Sequence, residues 1–301
     1  MFVLPTYSVG QVENARRTAK LAADDGFAPV IVCNSASAAA ALADHPSARS
    51  TGANTGYGGA ATLVAESVEF EIMVLCNDDL HFTDAAMQAL RVAIERLESD
   101  EPIIMGFLPR DRPRITPLPA ARGVVALVSG LAGMTRRYGE RLARRSYTVD
   151  PSLCGPQQLP DGLGFPFVCV AITREAWELL GGFDGRFPLY FEDVDLLTRA
   201  HRSGAVQVSV ALGDCSHLHS ASARTVLPYI LPLMSVGARN YLQLHRRLPR
   251  PIAALLVTTG LLVRAMCWLP VRPDRRTEGR AILRALGAAW STRPVPMPPW
   301  S

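Results

Sequence analysis

What this 301-residue chain lacks narrows the field first. Lysine and arginine number 31 against 27 acids, a formal charge of +4 that is too mild to point to nucleic acid. None of the six cysteines stands in a CxxC pair, so spacing offers neither a zinc ribbon nor a redox couple. Cys33, Cys76 and Cys169 lie in apolar runs; with Cys154, Cys215 and Cys267 they read as reduced thiols of a cytosolic protein. The opening MFVLPTYS has no basic stretch and no long apolar run, so no secretory leader is expected. Internal repeats are absent. Charged residues make up 19% against 49% hydrophobic, which excludes global disorder and allows a substantial core.

Apolar runs and helical periodicities alternate along the first two thirds. PVIVC (29–33) and EIMVLC (71–76) are continuous apolar runs suited to buried parallel strands. Helices are predicted over 11–25, 36–43, 60–69 and 84–98, the last with Ala86, Leu90, Ile94 and Leu97 at helical spacing. TGANTGYGG (51–59) reads as a turn-rich loop. Strands are expected again over 102–108, 166–172 and 206–212, and helices over 173–180 and 190–203. Alternation of this kind predicts an α/β fold with a doubly wound sheet. Residues 123–165 give no clear period and read in part as a helix or a loop over a site.

Three polar segments carry chemistry. CNDDL (76–80) follows a buried strand at its carboxyl end, the edge where open α/β sheets bind ligands. Asn77, Asp78 and Asp79 are hard oxygen donors suited to Mg²⁺ or Mn²⁺, although an acidic turn capping the next helix would look the same. GGFDGRFPLYFEDVDLLTRAHRSG (181–204) places Asp184, Glu192, Asp193 and Asp195 near a double-glycine turn. Glu192 and Asp193 open a helix, where the dipole favours carboxylate anions that can take a proton from a hydroxyl. DCSHLHSAS (214–222) sets His217 and His219 just past a strand, where a neutral imidazole can join a carboxylate metal site or serve structure alone.

Taken in order, these segments resemble those of the family 2 glycosyltransferases of GT-A fold, in particular rhamnosyltransferase-like and galactofuranosyltransferase-like bacterial cell-envelope enzymes. VLPTYS is similar to their first strand and nucleotide-binding turn, IVCNSAS to a VVDNGS-type segment, and NTGYGGAAT to an N-x-G-F-G-G-A-x-N loop. VLCNDDL resembles their aspartate motif, and 181–204 their GGFDE-x-F-F-x-YFEDVDLC-x-R segment. The resemblance covers about residues 2–222. It implies a GT-A type Rossmann-like doubly wound mixed sheet. It also implies that Pro5, Thr6, Tyr7, Asn54 and Gly56 line the nucleotide pocket, with Asn77 or Asp78 near the ribose or diphosphate. Asp79 and His217 would hold the divalent metal, Mg²⁺ or Mn²⁺. Asp193 would be the general base, and Glu192 would orient the acceptor or the base. The implied reaction is an inverting transfer from a UDP- or dTDP-linked sugar to a saccharide or polyprenyl-linked acceptor. Cys33, Ala36, Ala38 and Thr62 depart from the pattern, and Asn77 makes the aspartate motif NDD rather than a full DxD.

Two further readings compete. A nucleotidyltransferase on a similar sheet would carry a Gly-rich phosphate loop, whereas the first strand is followed by SVGQVENARR. A non-catalytic scaffold that kept the fold has only the altered 33–38 segment in its favour. Beyond residue 222 the texture changes: apolar helical stretches are broken by Pro228, Pro232, Pro249 and Pro251. Residues 252–269 are apolar but contain Arg264, costly inside a bilayer, so an interfacial helix is expected rather than a span. Arg272, Arg275, Arg276, Arg280 and Arg284 would then face lipid headgroups at the inner face of the cell membrane. The expected organisation is a catalytic domain over 1–222, with a donor half at about 1–100 and an acceptor half at about 101–222, followed by a helical region over 223–301.

Overall fold

The computed structural model describes residues 1–97, 100–109, 115–131, 157–160, 162–213, 215–217, 227–271 and 274–299. Its main sheet is built from eight strands: β1 (Phe2–Thr6), β2 (Pro29–Cys33), β3 (Ala48–Ser50), β4 (Ile72–Cys76), β6 (Ile103–Pro109), β8 (Gln157–Gln158), β10 (Cys169–Thr173) and β11 (Val206–Leu212). In space they run β3-β2-β1-β4-β10-β6-β11-β8. β1 pairs in parallel with β2 and β4, while β10 runs antiparallel between β4 and β6. The sheet is therefore mixed, the doubly wound α/β architecture expected. A small ribbon joins β5 (Leu80–Phe82) to β12 (Cys215–His217), and another joins β7 (Thr116–Pro117) to β9 (Leu163–Gly164).

Strand alternation sends side chains to two cores. Phe2, Leu4, Ile31, Cys33, Val74 and Cys76 face α1 (Val12–Asp24) and α4 (Asp84–Glu95). Val3, Val32, Met73 and Leu75 face α3 (Gly56–Ser67), α6 (Arg174–Leu180) and α7 (Glu192–Ser203). Burial on both sides explains why these strands read as unbroken apolar runs rather than alternating ones. Cys33, Cys76, Cys169 and Cys215 are buried free thiols, Cys267 is exposed, and Cys154 lies outside the described residues.

Several boundaries differ from the sequence expectation. α3 starts at Gly56, inside the stretch read as loop, because Gly56 takes φ +72 at the helix entry and frees Tyr57 onward to wind. α5 (Ala121–Ser129) supplies part of the region without a clear period. α8 (Leu227–Arg246) runs through Pro232 instead of breaking there. Pro232 is buried against the neighbouring helices, and that packing outweighs one missing N–H near the helix start. α9 (Arg250–Trp268) and α10 (Arg275–Trp290) complete the helical region.

A third core joins α8, α9 and α10 to α5 and, notably, to Phe187 and Phe191 of the segment before α7. This core crosses the division expected at 222/223. The turn that presents Glu192 and Asp193 is therefore packed by helices from the last quarter of the chain.

Candidate active site

The first acidic turn lies at the carboxyl ends of β1, β2 and β4. The Asn14 amide on α1 donates to the backbone carbonyls of Asp78 (2.7 Å) and Leu80 (3.0 Å), holding the turn from below. The Asn77 N–H donates to Val168 O (2.9 Å), and the Tyr7 N–H to Asp78 Oδ2 (3.4 Å). Asp79 is 8% exposed. Burial, with the charge of Asp79 beside it, pushes the Asp78 carboxyl up to about 7. The ribbon register sets His217 opposite Leu80, next to Asp79 along the chain; the His217 side chain lies outside the described residues.

Beside this turn, Asn34 organises the loop that leads into α3. Its Oδ1 accepts from the Thr55 N–H (3.1 Å) and hydroxyl (2.9 Å), and its Nδ2 donates to Gly56 O (3.2 Å). The Ser35 hydroxyl donates to Tyr7 O (2.6 Å). Tyr7, Asn54 and Gly56 are thus brought together with Asp78. Pro5 and Thr6 are buried within β1, so Tyr7 offers the accessible side chain at this strand end. Only glycine fits at 56: besides its positive φ, a Cβ there would stand 2.1 Å from Pro188 O. That close approach ties the start of α3 to the segment leading into α7.

The second acidic turn opens α7. Tyr190 and Phe191 both take positive φ, 63 and 68, which is strained for bulky side chains and has to be held by packing. Gly237 of α8 lets that backbone approach, since a Cβ there would sit 2.8 Å from Tyr190 O. The Asn240 amide donates to Arg186 O (3.0 Å). Asp193 Oδ1 accepts from the Val194 N–H (2.7 Å), and the Phe167 N–H also serves this carboxylate. Glu192 is half-buried as a residue, yet its Oε2 is enclosed without a hydrogen-bond partner. Burial followed by the neighbouring Asp193 pushes Glu192 up to about 8; burial raises Asp193 too, but backbone N–H groups oppose that rise. The environments of the two differ: backbone N–H groups of Val194 and Phe167 serve the Asp193 carboxylate, whereas Glu192 Oε2 is enclosed without a partner.

Residues 167 and 168 bridge the two turns, Phe167 serving Asp193 and Val168 receiving Asn77. Among the described residues, no group of three or more His, Cys, Asp or Glu side chains is assembled for a metal.

Sequence reasoning passed over three supports: Asn34, Asn14 and the ion network under α7. Asp195 is 1% exposed; its Oδ2 takes Arg199 Nη2 (2.7 Å) and its Oδ1 meets His245 Nε2 (2.7 Å) on α8. Arg202 Nη1 lies 3.0 Å from His245 Nδ1. Arginine can only donate, so Nδ1 accepts and the imidazole proton sits on Nε2, aimed at Asp195. Arg199 also donates to Gly182 O (2.9 Å), tying the double-glycine turn to the same network.

A mixed sheet with an acidic turn at its carboxyl edge and a second acidic turn at a helix start defines an open, doubly wound α/β fold. The chain is 30% identical over 193 residues to N-acetylglucosaminyl-diphospho-decaprenol L-rhamnosyltransferase from two strains of Mycobacterium tuberculosis, CDC 1551 and H37Rv. The match covers 59% of this chain and 61% of those relatives, so it spans about three fifths of their length. This match supports the family 2 glycosyltransferase resemblance. No protein-family model matches the sequence. Among solved structures, the chain is similar to the mannosyltransferase PcManGT from Pyrobaculum calidifontis in complex with GDP-Man and Mn²⁺, at 16% identity and TM-score 0.49, covering 97% of this chain and 87% of that one. The inositol-1-phosphate CTP transferase from T. maritima gives 12% identity and TM-score 0.42, covering 78% and 95%.

Proposed function

We propose that this protein is an inverting glycosyltransferase that moves a sugar, rhamnose-like or another hexose, from a UDP- or dTDP-linked donor to a saccharide or polyprenyl-linked acceptor in cell-envelope synthesis. The observation that carries the reading is the acid pair at the start of α7, with Val194 and Phe167 N–H groups serving Asp193, bridged through residues 167–168 to the Asn77–Asp79 turn.

In this reading Tyr7, Asn54 and Gly56, with Pro5 and Thr6 behind them, form the nucleotide end, and Asn77 and Asp78 face the ribose or diphosphate. Asp193 takes the proton of the acceptor hydroxyl as its oxygen attacks the anomeric carbon. The bond from that carbon to the diphosphate breaks on the opposite face, so the configuration inverts and no covalent enzyme intermediate forms. Glu192, protonated, donates a hydrogen bond that orients the acceptor or the base.

The residues present fit a divalent ion shared with the substrate. Asp78 and Asp79 are adjacent acids, and the rise of Asp78 to about 7, from burial first and the charge of Asp79 second, marks a cost to its anion that a dication would offset. Mg²⁺ in particular is commonly held by one or two carboxylates plus phosphate oxygens, so a three-ligand protein cage is not required. Asp79 and His217 would hold Mg²⁺ or Mn²⁺, and the ion would supply charge neutralisation at the leaving diphosphate.

The same reading extends to peripheral contact with the inner face of the membrane. α9 is the one helix among the described residues long and apolar enough to cross a bilayer, with 28% of its apolar window buried. Its charge is not free, because Arg264 Nε pairs with Glu278 Oε1 of α10 at 2.7 Å. Ile252, Leu255, Leu262 and Met266 form one exposed stripe, and Leu283 and Trp290 of α10 are exposed as well. Arg250, Arg275 and Arg276 stand at the helix ends. A helix with one exposed apolar stripe and a paired charge on its packed side suits lying on a surface. Leu255→Asp with Met266→Asp should abolish flotation with anionic vesicles; undiminished flotation would exclude this face.

A thermal-shift screen with UDP, dTDP and GDP sugars, each with and without Mn²⁺, tests the central reading. A metal-dependent rise with one nucleotide is expected. No rise with any of them would overturn it.

A further inference from the structure

The last described segment returns to the donor half of the fold. α10 ends at Trp290, and Ser291 turns extended (φ −70, ψ 143). Arg239 fixes this departure, donating from Nη1 to the carbonyls of Ala288, Ala289 and Ser291 at 3.2, 3.2 and 2.8 Å. Residues 292–299 then carry Pro294, Pro296, Pro298 and Pro299. The Pro298 carbonyl accepts from Asn54 Nδ2 (3.2 Å), and the Pro299 carbonyl from the Tyr7 hydroxyl (3.3 Å). Pro298 is buried, and Met297 Cε comes within 3.0 Å of where a Gly56 Cβ would stand.

Tyr7, Asn54 and Gly56 are three of the residues with which the proposed donor site meets the nucleotide. We infer that residues 292–299 are a displaceable strap occupying the nucleotide end of that site, and that a nucleoside diphosphate enters by pushing it off. The inference rests on the donor-site reading above. A base or ribose needs N–H and O–H donors from the protein, and two of those on offer, from Asn54 and Tyr7, are engaged by strap carbonyls. The prolines make docking cheap in entropy, because such a segment is already extended before it binds. They also remove N–H groups, so the strap is held through its carbonyls and apolar contact and has no ladder to break.

The test keeps the full chain and loosens only the strap, with Met297→Gly, Pro298→Gly and Pro299→Gly combined. Titration calorimetry with UDP, dTDP and GDP, each with Mn²⁺, should show the nucleotide that binds doing so about tenfold more tightly in the variant, the equivalent of one or two net hydrogen bonds no longer competed for. Equal or weaker binding would overturn the strap as a competitor, and weaker binding would make it a wall of the site instead. A nitroxide on Met297→Cys, in a Cys267→Ser background, gives a second readout. It should be immobile in the free protein and become mobile on adding the nucleotide; a label mobile from the start overturns docking itself. If neither chain binds any of the three nucleotides, the donor-site reading fails and the competition with it, whereas binding unchanged between the chains sinks only the strap.

Discussion

The two acidic turns are built in opposite ways. Asp78 and Asp79 sit where a central strand ends, and their turn is held by Asn14 of α1 and by the Tyr7 and Asn77 amides. Every one of these supports but Val168 lies within the first 80 residues, and the backbone shows no positive φ between Asn77 and Leu80. Glu192 and Asp193 instead follow two bulky residues in the left-handed region, and what holds them comes largely from α8, through Gly237, Tyr241 and His245. One turn keeps an unstrained backbone and is fixed by hydrogen bonds from α1, the end of β1 and Val168. The other is imposed on a strained chain by helices some 45 residues further along.

The sharpest way to separate the two is to neutralise one acid in each. Asp193→Asn should lower turnover on the order of a hundred- to ten-thousandfold while leaving nucleotide affinity nearly unchanged, since it removes a base and nothing at the nucleotide end. Asp79→Asn should do the reverse, abolishing metal-dependent nucleotide binding. Initial rates together with calorimetry on both variants check this. Near-normal turnover in Asp193→Asn would remove that residue from the chemistry.

Next in size is the brace. Asp195→Ala leaves His245 and Arg199 facing an empty buried site, at a cost of about 3 kcal/mol or more in unfolding free energy. Because the network holds α7 and not the Asp78 turn, turnover should fall with nucleotide affinity kept. Urea unfolding and calorimetry read the two effects separately. Equal losses in turnover and nucleotide binding would mean that the two turns fold as one unit and that the contrast between them is false.

A smaller effect is expected from Asn14→Ala, which removes two donors to the Asp78 and Leu80 carbonyls. Loss of about 1 kcal/mol per hydrogen bond would slacken the first turn alone. Nucleotide affinity should drop several-fold, with the pH profile of turnover unaltered.

The contrast also explains what could be read in advance. β2, β4, α1 and α4 were legible because each is a local pattern, a continuous apolar run or a 3.6-residue period, that packing leaves intact. The CNDDL turn was legible for the same reason. The helix start at Gly56 was not, because the need for glycine comes from Pro188 O, 132 positions away in sequence. Asp195 and His245 were visible only as an acid in a rich motif and a histidine in an apolar region, and nothing local links them across 50 positions. Pro232 looked like a breaker, since its burial among α8's neighbours is a tertiary fact. The strap contacts join residue 7 to residue 299, beyond any sequence period.

The smallest expected effect is a pH dependence of stability. Glu192 is raised to about 8 in the folded protein from an ordinary value of 4.5, because burial and Asp193 disfavour its charged form. The folded state therefore holds this proton over a pH range where the unfolded chain has released it. The associated stability is fully present below about 4.5 and is lost as pH rises towards about 8. Glu192→Gln has no proton to lose, so its stability relative to the parent should grow between pH 5 and pH 8.5. Paired urea titrations at those two values measure the change. The acidic limb of turnover should stay in place in this variant, because the proposed base is Asp193. A limb that vanished would exchange the two roles and make Glu192 the base. An unchanged stability difference would instead mean that solvent reaches the Glu192 carboxyl, and that the second turn is no more enclosed than the first.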